Sequence, residues 1–238
     1  MTTPAASPPG SILVTGTSRG IGRELAKTFL EREWRVFGCS RRAADLEDAR
    51  YTHFELDVAD ERAVVTMFTA IRRSGAPLYA LLNNAGAASM NHALVTPLAT
   101  MEKLWRVNVL GTMLCCREAA KQMMPHKLGR IVNFGTVAVH YALEGEAVYV
   151  ATKAAVEAYT RVLARELGDC GITANTISPS PVRTDLIAGV PAEKLTALVN
   201  RQAIKRFGEF RDVLQVIDFL LAPGSDFLTG QTLYLGGP

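Results

Sequence analysis

Only four cysteines occur in the 238 residues, Cys39, Cys115, Cys116 and Cys170, with no Cys-x-x-Cys spacing and no histidine at ligand spacing. That argues against a structural zinc site or any other metal site and against a disulfide framework, so the thiols are expected to be reduced packing residues. Long apolar runs are missing too. The longest are strand-sized, well short of the ~20 residues that a membrane-spanning helix needs. Residues 1–10 lack a basic start followed by an apolar core, so no export signal is expected and a cytoplasmic protein fits. No dense block of Lys or Arg occurs: the formal net charge of +3 comes from scattered residues, and no nucleic-acid partner is expected. Neither a Gly/Pro-rich linker nor an internal repeat divides the chain. What is present, 48% hydrophobic and 21% charged residues over this length, permits one large α/β domain or two small ones.

After a flexible leader rich in Pro, Ser and Gly (1–10), short apolar runs alternate with longer amphipathic ones. The short runs, 12–15, 36–40, 53–56, 80–83, 131–134, 173–177 and 232–235, read as strands. Their continuous apolar character suits a parallel sheet covered on both faces. Between them, 21–32, 61–73, 98–123, 149–167, 192–203 and 211–221 carry helical spacing, for example Val156, Tyr159, Val162, Leu163 and Leu167. Strand, crossover helix and parallel strand in repetition predict a single doubly wound α/β domain over 11–238.

Two local patterns carry chemistry. The first, Thr15-Gly16-Thr17-Ser18-Arg19-Gly20-Ile21-Gly22, ends a strand and opens a helix. Its glycines let the backbone approach a pyrophosphate closely, while the helix N-terminus supplies donors and a positive dipole end. The second is Tyr149 and Lys153, which share a helix face because they lie four residues apart. At ~4 Å and an effective dielectric of ~20, an ammonium stabilises a phenolate by ~4 kcal/mol, up to about three units off a pKa of ~10 before screening. A phenol that exchanges a proton near neutral pH is what carbonyl reduction or alcohol oxidation needs. Together the two patterns point to an oxidoreductase.

The spacing of the turn is not G-x-G-x-x-G; it resembles the T-G-x-x-x-G-x-G turn of the classical short-chain dehydrogenase/reductases. The resemblance continues through Asn83-Asn84-Ala85-Gly86, Asn108, Tyr149-x-x-x-Lys153 and the Gly230…Gly236-Gly237 ending, in family order over nearly the whole chain. It implies a Rossmann-type fold holding a nicotinamide dinucleotide. Gly16, Ser18, Arg19, Gly20, Ile21 and Gly22 would form the phosphate turn. Asp57 and Val58 would flank the adenine, Asn83, Asn84, Ala85 and Gly86 would lie beside the adenosine ribose, and Val182 and Thr184 would contact the nicotinamide carboxamide. Tyr149 and Lys153 also count among the cofactor contacts. At the end of the second strand, where an acidic residue would bond a ribose diol and repel a 2′-phosphate, this chain has Ser40 followed by Arg41 and Arg42. With Arg19 they place three guanidiniums to meet one phosphate, so NADPH is the expected cofactor.

The same resemblance implies a catalytic group. Thirteen residues before Tyr149 stands Thr136, where relatives usually have Ser; the hydroxyl that orients a substrate carbonyl is kept, with an added methyl and a stiffer χ1. Asn108 matches the residue that holds a water continuing the proton path from the lysine. Pro179-Ser180-Pro181 departs from the usual Pro-Gly, which is expected to alter the loop passing the nicotinamide. His140 could face substrate. The segment 185–207 corresponds to the substrate lid, and its modest length, with Arg206-Phe207-Gly208 and Gly230-Gln231, is closest to 3-oxoacyl-(acyl-carrier-protein) reductases. Carrier docking there uses basic residues near the site entrance; Lys127 stands at one such position, Cys170 at another. The substrate implied is a 3-oxoacyl thioester on acyl carrier protein or CoA. The alternatives are a free ketone, sugar or polyketide-like intermediate, or a non-catalytic dinucleotide-binding scaffold. Apolar residues on more than one stripe of 98–123 (Leu104, Val107, Leu110, Met113, Leu114) leave a surplus that needs a partner; the resemblance implies pairing of 98–123 and 149–167 with a second copy and a homotetramer, with a dimer as fallback.

Overall fold

Strand after strand in the computed structural model runs in the same direction. Residues 10–183, 187 and 189–238 are described; the expected leader up to residue 9, together with Thr184 of the cofactor set and positions 185, 186 and 188 of the lid, lies outside them. The strands are β1 (Ser11–Thr15), β2 (Arg35–Ser40), β3 (Tyr51–Glu55), β4 (Leu78–Asn83), β5 (Gly129–Phe134), β6 (Ile172–Ser178) and β7 (Thr232–Tyr234). They form one sheet in the order β3-β2-β1-β4-β5-β6-β7, with every adjacent pair parallel. The order reverses between β1 and β4, the switch point at which doubly wound sheets open a crevice.

Side chains alternate between the two faces of a strand, and both faces here are covered. Leu13 of β1 packs into a layer with Val64, Met67, Phe68 and Ile71 of α2 (Glu61–Arg73), Cys115, Cys116 and Ala119 of α4 (Gly111–Met123), and Leu163 and Leu167 of α6 (Ala147–Leu167). Its neighbours Ile12 and Val14 join Leu25, Ala26 and Phe29 of α1 (Gly20–Glu31) and Val213, Ile217 and Leu220 of α8 (Phe210–Leu221) on the opposite side. That is why β1 shows no polar alternation. Burying a side chain such as Phe29 stabilises the fold by about 2–3 kcal/mol. Among the described residues no helix is long and apolar enough to cross a membrane.

The expected helix 98–123 is divided. It contains α3 (Leu98–Leu104), a π-helical turn (Trp105–Leu110) and then α4, so one wide turn carries Asn108 in the middle of an otherwise α-helical rod. Such bulges leave carbonyls outside the i→i+4 ladder and recur at functional sites. A one-turn helix that the periodicity did not signal, α5 (Ala138–Tyr141), follows β5, and α7 (Ala192–Arg201) lies within the lid segment. The segment ending in Gly236 and Gly237 is bound to the end of that lid through Ala203 N–H to Gly237 O at 2.8 Å and Ile204 N–H to Gly236 O at 3.0 Å.

Candidate active site

The C-terminal ends of β1 to β6 converge on one cavity of about 970 Å³, roughly the size a dinucleotide and a small substrate need together. At its β1 wall Gly16 adopts φ +79°, and a Cβ there would stand 2.9 Å from Asn84 Nδ2 and 3.0 Å from Ala85 Cα. Only glycine fits that approach. Asn84 Nδ2 donates to Thr15 O at 3.0 Å and Ala85 N donates to Thr15 Oγ1 at 2.9 Å, which locks the turn after β4 to the turn after β1. Gly22 does not line the cavity. Its Cα faces Gly16 O and Asn84 Nδ2 with no room for a Cβ, so its role is to let α1 sit on the strand end.

This wall suits a dinucleotide. Ser18, Arg19, Gly20 and Ile21 line it at the start of α1, whose first turn has no acidic residue and no side-chain capping bond to its amides, leaving amide donors and a positive dipole end for an anion. Ser40, Arg41 and Arg42 line the far corner and Asp57 and Val58 the adjacent edge; Ala85 and Gly86 continue toward the centre. Asn83 is turned away, donating to Asn133 Oδ1 at 2.8 Å inside the core. Asp57 Oδ1 accepts from Ala59 N at 2.9 Å, so the carboxylate shapes its own turn.

Thr136, Tyr149 and Lys153 meet at the other end of the same cavity. Tyr149 and Lys153 lie one turn apart on α6, and Thr136 comes from the end of β5; its hydroxyl accepts from Ala138 N at 3.2 Å and hydrogen-bonds the Tyr149 phenol. The Lys153 ammonium donates to Phe134 O at 2.7 Å. Burial lowers its pKa from 10.5 to about 8, against the attraction of Glu157. The expected fall in the Tyr149 pKa is not found in the protein alone. Burial pushes the phenol up, the negative charge of Glu146 adds to that, and the hydrogen bond from Thr136 offsets part of it. Desolvation, which both groups share, dominates over what proximity of the ammonium on one helix face supplies.

Asn108 lines no part of the cavity; it stands behind it, fully buried. Its Oδ1 accepts from Ala87 N and its Nδ2 donates to Ala87 O, both at 2.8 Å, with a further bond to Thr152 Oγ1 at 3.0 Å. A Cβ on Gly86 would lie 3.4 Å from Asn108 Oδ1 and 3.6 Å from Lys153 Nζ, so these two polar groups flank the same glycine. The π-helical turn thus brings Asn108 against the β4 loop and next to the lysine.

Three residues named from the sequence stand apart from the cavity. His140 is exposed on α5 and packs edge-on against Tyr234 at 5.8 Å between centroids, outside the cavity. Lys127 and Cys170 precede β5 and β6, at the N-terminal edge of a sheet whose cavity lies at the C-terminal edge, so neither stands at this subunit's entrance. Ser180 lines the cavity without adopting positive φ, so the loop after β6 runs its course without the usual glycine. Val182 also lines the cavity. The expected lid segment lines the substrate end with Ile187, Val190, Leu195 and Leu198 as an apolar face and Lys194 as a charge, and Glu146, not foreseen from the sequence, adds a second charge. Burial raises the Glu146 pKa, and Lys194 works against that.

Residues 16–237 match the family described as enoyl-(acyl carrier protein) reductase. A short-chain type dehydrogenase/reductase of Picea abies is 32% identical, over 94% of this chain and 90% of that protein. D-erythrulose reductase of Gallus gallus is 35% identical, over 94% and 93%. The 3-oxoacyl-(acyl-carrier-protein) reductase of Vibrio cholerae is 29% identical, over 94% and 95%. Among solved structures, ElxO with NADP bound superposes with a TM-score of 0.85 at 29% identity, covering 94% of this chain and 96% of that one. 4-Hydroxyisoleucine dehydrogenase complexed with NADH does so with a TM-score of 0.85 at 27% identity, covering 95% and 96%. The fold agrees with these matches, and the chain belongs to the short-chain dehydrogenase/reductase family of nicotinamide-dependent oxidoreductases.

Proposed function

We propose that this enzyme is an NADPH-dependent reductase that converts a carbonyl into a secondary alcohol, acting on a 3-oxoacyl thioester. The observation that carries the reading is a single cavity with Arg19, Arg41 and Arg42 at one end and Thr136, Tyr149 and Lys153 at the other. The nicotinamide, when bound, supplies the hydride. Thr136 orients the carbonyl through its hydroxyl, Tyr149 gives its proton to the carbonyl oxygen, and Lys153 returns a proton to the phenol, with Asn108 placed to hold a water that resupplies the lysine from solvent. A lysine titrating at about 8 can hold or release that proton near neutral pH. The apolar lid face fits an acyl chain. A second reading, a small free hydroxyketone or sugar, is favoured by Glu146 beside Tyr149, since a carboxylate there can accept from a substrate hydroxyl.

Oxidation of NADPH with acetoacetyl-CoA, measured against free hydroxyketones, separates these readings. Turnover on the thioester alone supports the first, turnover on free ketones supports the second, and NADPH binding without any turnover means a dinucleotide-binding scaffold. In the same assay NADPH should exceed NADH at least tenfold in kcat/KM, about 1.4 kcal/mol. Arg41→Ala should erode that preference. Equal use of both cofactors by the unaltered enzyme would defeat the assignment.

The protein is further proposed to be a cytoplasmic homotetramer. Leu98, Trp105, Leu110 and Val162 are 43–68% exposed on the outer side of α3, the π-helical turn and α6, more apolar surface than covering a sheet requires. Pairing these helices with those of a second copy would cover it, and β7 offers an edge for pairing dimers. Sedimentation at micromolar concentration should report four copies, or two as a minimum. A monomer of 25.8 kDa would rule the arrangement out.

A further inference from the structure

Behind the arginine corner runs a chain of hydrogen bonds that the proposed reaction does not use. His53 Nε2 lies 3.0 Å from the Arg42 carbonyl oxygen and 3.2 Å from Ser40 Oγ. Its Nδ1 lies 2.8 Å from the Tyr51 hydroxyl and 3.5 Å from Thr17 Oγ1. The Tyr51 hydroxyl is in turn 3.0 Å from Thr17 Oγ1, and Ser40 Oγ donates to the Arg42 carbonyl at 2.6 Å. Tyr51 and His53 lie two apart on β3 and so share a face, and His53 is in register with Gly38 of β2. A Cβ at Gly38 would run into the Tyr51 hydroxyl and Thr17 Oγ1, so the glycine leaves the passage through which the chain crosses the sheet.

The tautomer follows from the partners. A carbonyl oxygen only accepts, so His53 Nε2 carries hydrogen and donates to Arg42. In the neutral ring Nδ1 then accepts from Tyr51, whose oxygen accepts from Thr17; in the imidazolium Nδ1 donates and Tyr51 donates to Thr17. The Arg42 bond survives in both forms. The chain therefore joins Thr17, inside the Gly-rich turn, to the carbonyl of Arg42, and so fixes the distance between the pyrophosphate wall and the arginine corner.

We infer that His53 is a positioning residue for 2′-phosphate recognition: by holding the Arg42 carbonyl it presents the Arg41-Arg42 corner to the phosphate monoester that distinguishes NADPH from NADH. It does not line the cavity and acts only through that corner. The inference rests on the proposed NADPH preference, and one experiment tells the two apart.

Steady-state kinetics with NADPH and with NADH are measured for the unaltered enzyme, His53→Phe and His53→Gln. His53→Phe removes the donor and should lower the NADPH-to-NADH ratio of kcat/KM about tenfold, through KM for NADPH, with kcat and the NADH constants within twofold. His53→Gln keeps an N–H at similar reach and should retain the ratio within threefold. If His53→Phe does not fold, Tyr51→Phe cuts the link to Thr17 and should lower the ratio at least threefold. A ratio unchanged in folded His53→Phe or folded Tyr51→Phe, or equal losses with both cofactors, overturns the inference. A ratio near one in the unaltered enzyme overturns the NADPH reading itself.

Discussion

Tyr149→Phe is expected to lower turnover by two or more orders of magnitude while leaving NADPH binding within severalfold. The substitution deletes one oxygen from a side chain that is 8% exposed, and the ring stays packed on α6. What goes is the acid that protonates the carbonyl oxygen, a loss on the order of 10²–10⁴ in rate. The phenol's hydrogen bond to Thr136 also goes, leaving that hydroxyl to the Ala138 amide it already accepts from. KM for substrate should therefore rise less than kcat falls. Turnover near the unaltered level with the true substrate would show that another group supplies the proton.

The elements of this fold were legible because each strand is covered on both faces. Ile12, Leu13 and Val14 are all fully buried, and a run of that kind has few readings other than a central parallel strand. The cofactor wall was legible for a related reason: close backbone approach demands glycine, and glycine at Gly16, Gly20 and Gly22 is a local signal. Three features escaped because they depend on long-range partners. The π-helical turn is written in Trp105-Arg106-Val107-Asn108-Val109-Leu110, whose composition suits an α-helix. It is the pair of hydrogen bonds between Asn108 and Ala87, 21 residues apart, that accompanies the wide turn. His53 sits in a short strand whose burial is only partial and looks like any edge histidine until Arg42 and Tyr51 are placed around it. Lys127 matched a docking position by sequence offset, yet a parallel sheet sends the start of β5 and its cavity-facing end to opposite sides of the molecule.

Lys153→Met should cost two or more orders of magnitude in turnover and should also change how stability depends on pH. In the unfolded chain the ammonium titrates near 10.5; in the folded protein burial brings it to about 8. Between those values the unfolded chain holds the extra proton, so this group's contribution to stability grows as pH rises through the window. Below about 8 both states are protonated, and the full cost of burying a charge is present. The difference in unfolding free energy between the unaltered enzyme and Lys153→Met should therefore grow by about 3 kcal/mol from pH 7.5 to 10.5. The lost bond to Phe134 O adds an offset of about 1 kcal/mol that is nearly independent of pH, since the amine donates in either form. Urea unfolding of both proteins across that range measures the difference directly. Parallel curves would mean that the buried lysine keeps an ordinary pKa, and would remove the argument that it holds and releases a proton at neutral pH.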